Sequence, residues 1–77
     1  MRTDNEIFEF DKTKSISVLS DNGTYTKELN LVSWKKGEPK IDIRAWNGNK
    51  PLRGISLNLD ESKALYEGLK AHFESEV

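Results

Sequence analysis

The stretch Lys40–Asn58, KIDIRAWNGNKPLRGISLN, predicts two short strands that flank a turn at residues 47–49. Side chains of an extended chain alternate between its two faces. One face of the first strand is aliphatic. The opposite face is charged and aromatic, and its members are Lys40, Asp42, Arg44 and Trp46. Cations beside a flat ring are typical of surfaces that hold single-stranded nucleic acid, because phosphates are anionic and unpaired bases stack.

Two further strands are predicted upstream of this stretch. Ser15–Ser20 is rich in β-branched residues and precedes Asp21–Gly23, a triplet typical of hairpin turns. Tyr25–Lys35 carries apolar residues at both odd and even positions, which point to opposite faces of a strand. This strand therefore either contains a bulge or is covered on both faces. Lys36–Pro39 predicts the next turn, since Gly and Pro constrain the backbone there. Gly54–Leu57 predicts the fourth strand.

A helix is predicted after the fourth strand, from Leu59 to Phe73. Asn58 is a typical N-cap, and Glu61 three residues later completes a capping box. Large apolar residues recur every four positions on this helix and form one stripe, which either covers the sheet of the same chain or packs against a second copy. The predicted fold class is α+β, a curved four-stranded antiparallel sheet followed by one C-terminal helix (ββββα), in a dimer.

The length of 77 residues predicts one small domain, formed by residues 15–77 and preceded by a partly disordered arm at residues 1–14. So short a chain buries a modest core, and oligomerisation is a common way to complete it. There is no cysteine, which excludes disulfides and thiolate zinc sites and suits a reducing cytoplasm. No leader pattern and no membrane-spanning segment is recognised, so a cytoplasmic location is predicted.

Positive charge is concentrated in the middle of the chain, although the net charge is only −1. Residues 27–53 carry seven Lys/Arg against three Asp/Glu, a balance of +4, whereas residues 1–26 carry −2 and residues 54–77 carry −3. This distribution predicts phosphate binding on one surface. Two plainer interpretations stay open: scattered cations serve solubility and edge protection, and Asp42 pairs with Arg44 and neutralises it.

The motifs KIDIRAW (Lys40–Trp46) and RGISLN (Arg53–Asn58) resemble the single-stranded-DNA-binding core of the transcriptional coactivator family called positive cofactor 4. The preceding KELNLVSWKKGEPK (Lys27–Lys40) is similar to its short bacterial, YdbC-type branch. The resemblance extends over Ser15–Leu69 and agrees with the ββββα order. It implies a homodimer whose helices pack across the two-fold axis and whose curved sheets form grooves for unpaired DNA.

The resemblance also assigns roles to residues. Trp34 matches the aromatic residue that stacks on a base, Arg44 the arginine of IDIR, and Arg53 the basic residue before GISLN. Trp46 lies in the aromatic pair after IDIR, offset by one place from the tryptophan usual in the family. Core packing is the competing interpretation of both Trp34 and Trp46. The residues predicted to bind nucleic acid are Trp34, Lys35, Lys36, Lys40, Arg44, Trp46, Lys50 and Arg53.

No arrangement of side chains predicts catalysis. His72 is the single histidine in a chain without cysteine, so no metal site and no cofactor is expected. The residues and the resemblance together predict a non-enzymatic homodimer that binds single-stranded DNA, with RNA as a further ligand, in transcription, replication or repair. The resemblance also implies association with the bacterial nucleoid. The alternative is a protein-interaction module that binds an acidic partner through the same surface.

Overall fold

Four antiparallel strands and a C-terminal helix make up residues 9–75, the part of the chain that the computed structural model describes. The strands form one sheet in the order β1-β2-β3-β4. The predicted α+β class and the ββββα order are therefore confirmed. The elements are β1 (Phe10–Asp21), β2 (Thr26–Trp34), β3 (Lys40–Asn47), β4 (Lys50–Leu57) and α1 (Leu59–Glu74).

Strands β1 and β4 begin earlier than their sequence patterns predict. Strand β1 starts at Phe10 instead of Ser15, so part of the predicted arm belongs to the sheet; residues 1–8 lie outside the described residues. The extension exists because Phe10 pairs with Trp34 across the ladder, a contact that a local pattern does not reveal. Strand β4 starts at Lys50, and its Pro51 is tolerated because β4 is an edge strand.

Bulges occur in β1 and not in β2. Three register shifts each place one extra residue in β1, between Lys12 and Lys14, between Ser15 and Ser17, and between Val18 and Ser20. Strand β2 pairs with β3 without a shift from Thr26 to Val32. Of the two interpretations of β2, the internal bulge is wrong. Bulges in β1 twist this edge strand and make edge-to-edge pairing with other chains less favourable.

The sheet has two faces of different character. The tryptophan face includes Phe10, Lys12, Thr26, Glu28, Asn30, Val32, Trp34, Lys40, Asp42, Arg44, Trp46 and Ser56. The helix face consists of Leu29, Leu31, Ile41, Ile43, Ile55 and Leu57. Val32 and Trp46 are fully buried on the tryptophan face, together with the polar side chains of Asn30 and Asp42. Among residues 9–75, the large fully buried side chains therefore lie on the face opposite the helix.

Helix α1 begins with the predicted capping box. The Asn58 side chain accepts from the Glu61 backbone N–H, and the Glu61 carboxylate accepts from the Asn58 backbone N–H, each at 2.8 Å. None of the sixteen residues of α1 is buried. An open cleft of about 270 Å³ separates α1 from the helix face. Within residues 9–75, no helix is long and apolar enough to cross a membrane.

Candidate nucleic-acid interface

Three aromatic rings meet on the tryptophan face. The ring centroid of Phe10 lies 5.5 Å from that of Trp34 and 5.3 Å from that of Trp46, both in tilted geometry. The ammonium of Lys12 lies 4.2 Å from the centroid of the Trp46 ring. Trp46 is 0% exposed as a result. The prediction that Trp46 offers an open ring for stacking is wrong, because Phe10 and Lys12 of β1 cover it.

Trp34, in contrast, is half-buried. Its indole Nε1–H is shared between the Asp42 carboxylate, at 3.2 Å, and the Ser56 hydroxyl, at 3.1 Å. Ser56 in turn donates to Asp42 at 2.7 Å. The polar edge of the indole is thus anchored to β3 and β4, and the ring has one defined orientation at the end of β2.

Arg44 is turned toward Asp42 and not toward solvent. Its Nε donates to Asp42 Oδ1 at 2.6 Å, and its Nη2 donates to Asp42 Oδ2 at 2.9 Å. Its Nη1 donates to the Leu52 carbonyl at 2.9 Å. The guanidinium carbon lies 4.6 Å from the centroid of the Trp34 ring. The interpretation in which Asp42 pairs with Arg44 is confirmed, so the structure does not present Arg44 as a free cation.

A second polar network surrounds Glu28, beside Trp46. Its carboxylate accepts from Thr26 Oγ1 at 2.6 Å, from Asn30 Nδ2 at 3.1 Å and from Lys12 Nζ at 3.3 Å. Burial raises the pKa of Glu28, but these hydrogen bonds and the charge of Lys12 outweigh it and hold the pKa below its ordinary value. Glu28 therefore stays anionic at neutral pH and holds Lys12 in place above Trp46.

The turn between β2 and β3 has an unusual backbone. Lys35 and Lys36 both have positive φ, at 52° and 63°, and the Gly37 N–H donates to the Trp34 carbonyl at 2.8 Å. Positive φ at both central residues with this hydrogen bond is typical of a type I′ turn, in which Asn and Gly are preferred. The turn lies inside the longer connection that follows the last β2–β3 pair, Val32 and Lys40. Two lysines in the left-handed region are strained, and both side chains are exposed.

The eight predicted residues do not form one patch. Trp34, Lys35, Lys36 and Lys40 lie together at the β2–β3 end of the sheet. Lys50 pairs with Asn47 at the opposite end of β3, roughly 23 Å away at the usual rise of a strand. Arg53 is exposed and lies between these ends. The basic end cluster, defined as Trp34, Lys35, Lys36 and Lys40, is the best-formed candidate site.

Three residues that contact Trp34 are missing from the eight predicted binding residues. Asp42 carried a usable signal, because its parity places it on the same strand face as Arg44. Phe10 and Ser56 carried none, since their roles depend on pairing between distant strands. Among residues 9–75, no three His, Cys, Asp or Glu side chains are grouped so as to hold a metal ion.

Comparison with known proteins shows a relative that shares most of this chain. No family model matches the chain. An uncharacterised protein of Treponema pallidum (strain Nichols) is 33% identical over 70 residues, which cover 87% of this chain and 82% of the relative. The chain belongs to the same family as this Treponema protein. The match extends over most of both chains, so the relative shares the region that contains the sheet and the basic end cluster.

Proposed function

We propose that the protein binds single-stranded nucleic acid, DNA foremost and RNA as a further ligand, through the basic end cluster. The observation that carries the proposal is the half-buried Trp34, whose indole N–H is held by Asp42 and Ser56 and which is followed directly by two exposed lysines. The one acid on the neighbouring strand face, Asp42, is already paired with Arg44. The basic end cluster therefore combines an aromatic ring with lysine cations, and strand β3 beside it carries no unpaired carboxylate.

The physical basis of recognition follows from these groups. Stacking of a base on an aromatic ring is worth about 1–3 kcal/mol and tolerates any base. A duplex hides the base faces, so the ring favours unpaired strands. Lysine contacts to phosphates release counterions, so that binding weakens with salt. Such a protein performs no chemistry on its ligand, and we place it at the bacterial nucleoid, in transcription, replication or repair.

Tryptophan fluorescence tests this proposal. Titration with oligo-dT at about 50 mM salt is expected to quench the emission of Trp34 and to leave that of the buried Trp46. Trp34→Phe should remove the quenching, because Phe is not excited with the indole, while the protein keeps an aromatic ring there. Duplex DNA should quench far less.

Poly-glutamate provides the comparison with an acidic protein partner, since it supplies negative charge without bases. Equal binding of poly-glutamate and oligo-dT, or the absence of any quenching by oligo-dT, would contradict nucleic-acid recognition. Persistence of the quenching in Trp34→Phe would place the stacked base on Trp46 instead.

We further propose that the chain acts as a homodimer whose second copy covers α1 and the helix face. Large apolar side chains of α1 are exposed, with 48% of Leu69 and 65% of Phe73 open to solvent. Ile55 on the helix face is also exposed, at 56%. Apolar surface on facing elements of one side of a small domain is typical of an obligate interface. A second copy supplies the same surface in complementary form.

Leu69→Glu is expected to dissociate the dimer. A charge at a central apolar anchor opposes association by about 2 kcal/mol or more, a rise in the dimer Kd of about 30-fold. Ala71→Glu is the matched control, because it introduces the same charge on nearly the opposite side of the helix. Sedimentation equilibrium measures both. A wild-type monomer at high protein concentration, or equal effects of the two variants, would refute this interface.

A further inference from the structure

We infer that Arg44 is a positioning residue that holds the Trp34 ring for stacking and does not contact a phosphate. This inference rests on the proposed function, and it departs from the role that the motif alone predicts. Three observations support it: the three inward hydrogen bonds of the guanidinium, the low exposure of its side chain at 15%, and its position over the Trp34 ring.

The hydrogen bonds of Arg44 leave little for a phosphate. A guanidinium has five N–H donors in a fixed fork, and three of the donors of Arg44 are directed to Asp42 and the Leu52 carbonyl. Asp42 is 0% exposed and neutralises the charge. If Arg44 turned outward to reach a phosphate, it would leave this carboxylate buried without its cation, which is strongly unfavourable.

The same carboxylate connects Arg44 to the stacking ring. Asp42 Oδ2 accepts from Arg44 Nη2 and also from the Trp34 indole N–H. The guanidinium carbon also lies over the indole, at a distance that favours cation–π attraction. Asp42, Arg44 and Trp34 are therefore one assembled unit, in which the arginine fixes the tilt of the ring before any base arrives.

The salt dependence of oligo-dT binding distinguishes positioning from phosphate contact. Each lysine or arginine that contacts a phosphate of a single strand contributes about 0.7 to the slope of log K against log salt. Lys36→Ala, the control, should reduce the steepness of this negative slope by about 0.7. Arg44→Ala should weaken binding about fivefold, through loss of part of the stacking, and leave the slope unchanged. A fall of the slope equal to that of Lys36→Ala would overturn the inference.

A double-mutant cycle with Trp34→Ala gives the second readout. Because Arg44 acts through the ring, Arg44→Ala should change affinity by less than about twofold once the ring is absent. A full fivefold loss in the Trp34→Ala background would also overturn the inference. Arg44→Lys keeps the charge but not the planar fork, so it should fail to restore affinity; full restoration would indicate a simple cation site.

Folding of the variants is checked first by circular dichroism. Arg44→Ala leaves the buried carboxylate of Asp42 without its cation. If Arg44→Ala does not fold, the double variant Asp42→Asn with Arg44→Gln is used in its place. The salt dependence of its oligo-dT binding is expected to equal that of the wild-type protein. Failure of the proposed function is distinguishable from failure of this inference. If the proposed function fails, the wild-type protein does not bind oligo-dT; if only the inference fails, the wild-type protein binds and Arg44→Ala changes the salt dependence.

Discussion

Gly54→Ala is expected to lower the free energy of unfolding by about 3 kcal/mol or more, the upper range for overpacking. A Cβ atom at this position would lie 1.9 Å from Arg44 Cβ and 2.4 Å from the Ile43 carbonyl oxygen. Gly54 pairs directly with Arg44 in the ladder, so relief requires β4 to move away from β3. Thermal unfolding should show a fall in Tm of about 12–24 °C for a domain of this size.

Gly68→Ala is the matched control for this prediction. Gly68 lies within α1, and an added Cβ would meet no atom within 4 Å. Alanine in a helix is favoured over glycine by about 0.5–1 kcal/mol, so Tm should rise. Both variants are compared at one protein concentration, because the stability of the proposed dimer would depend on it. A loss below 1 kcal/mol in Gly54→Ala would show that β3 and β4 do not approach as described.

The reliable parts of the sequence prediction are those that rest on local chemistry. The helix starts where predicted because the side chains of Asn58 and Glu61 each accept a hydrogen bond from the other residue's backbone N–H within one turn. Strand β3 is predicted to within one residue, because strict alternation and flanking turns fix it locally. The start of β1 at Phe10 was not predictable, since it depends on pairing with a residue 24 positions later, through three bulges.

The candidate site shows the same division between local and distant information. Parity places Asp42, Arg44 and Trp46 on one strand face, and the structure confirms this. Parity does not say what covers that face. Phe10 and Lys12 cover Trp46 from a distant strand, so a residue predicted to be a binding surface is core. Lys35 also belongs to the turn that is predicted at Lys36–Pro39, because the hydrogen bond from the Gly37 N–H to the Trp34 carbonyl places Lys35 at the first central position.

Replacing Lys35 by Asn and Lys36 by Gly together is expected to change stability and binding in opposite directions. Asn-Gly is the preferred pair for a type I′ turn, and relief of two left-handed lysines should add about 1 kcal/mol to the free energy of unfolding, after the entropy of the new glycine. Loss of two phosphate contacts should weaken oligo-dT binding about 50-fold at 50 mM salt. It should also reduce the steepness of the negative slope of log K against log salt by about 1.4.

The control for this double variant is Lys63→Gln with Lys70→Gln, which removes two exposed lysines from α1 and gives the same net charge. Its salt slope should stay at the wild-type value, because these lysines lie outside the basic end cluster. A gain in stability without a loss of affinity would show that the strained turn serves something other than phosphate binding. A loss of both would mean that the lysines also stabilise the fold. The expected combination indicates that the backbone strain at Lys35 and Lys36 persists because it holds two cations beside the ring of Trp34.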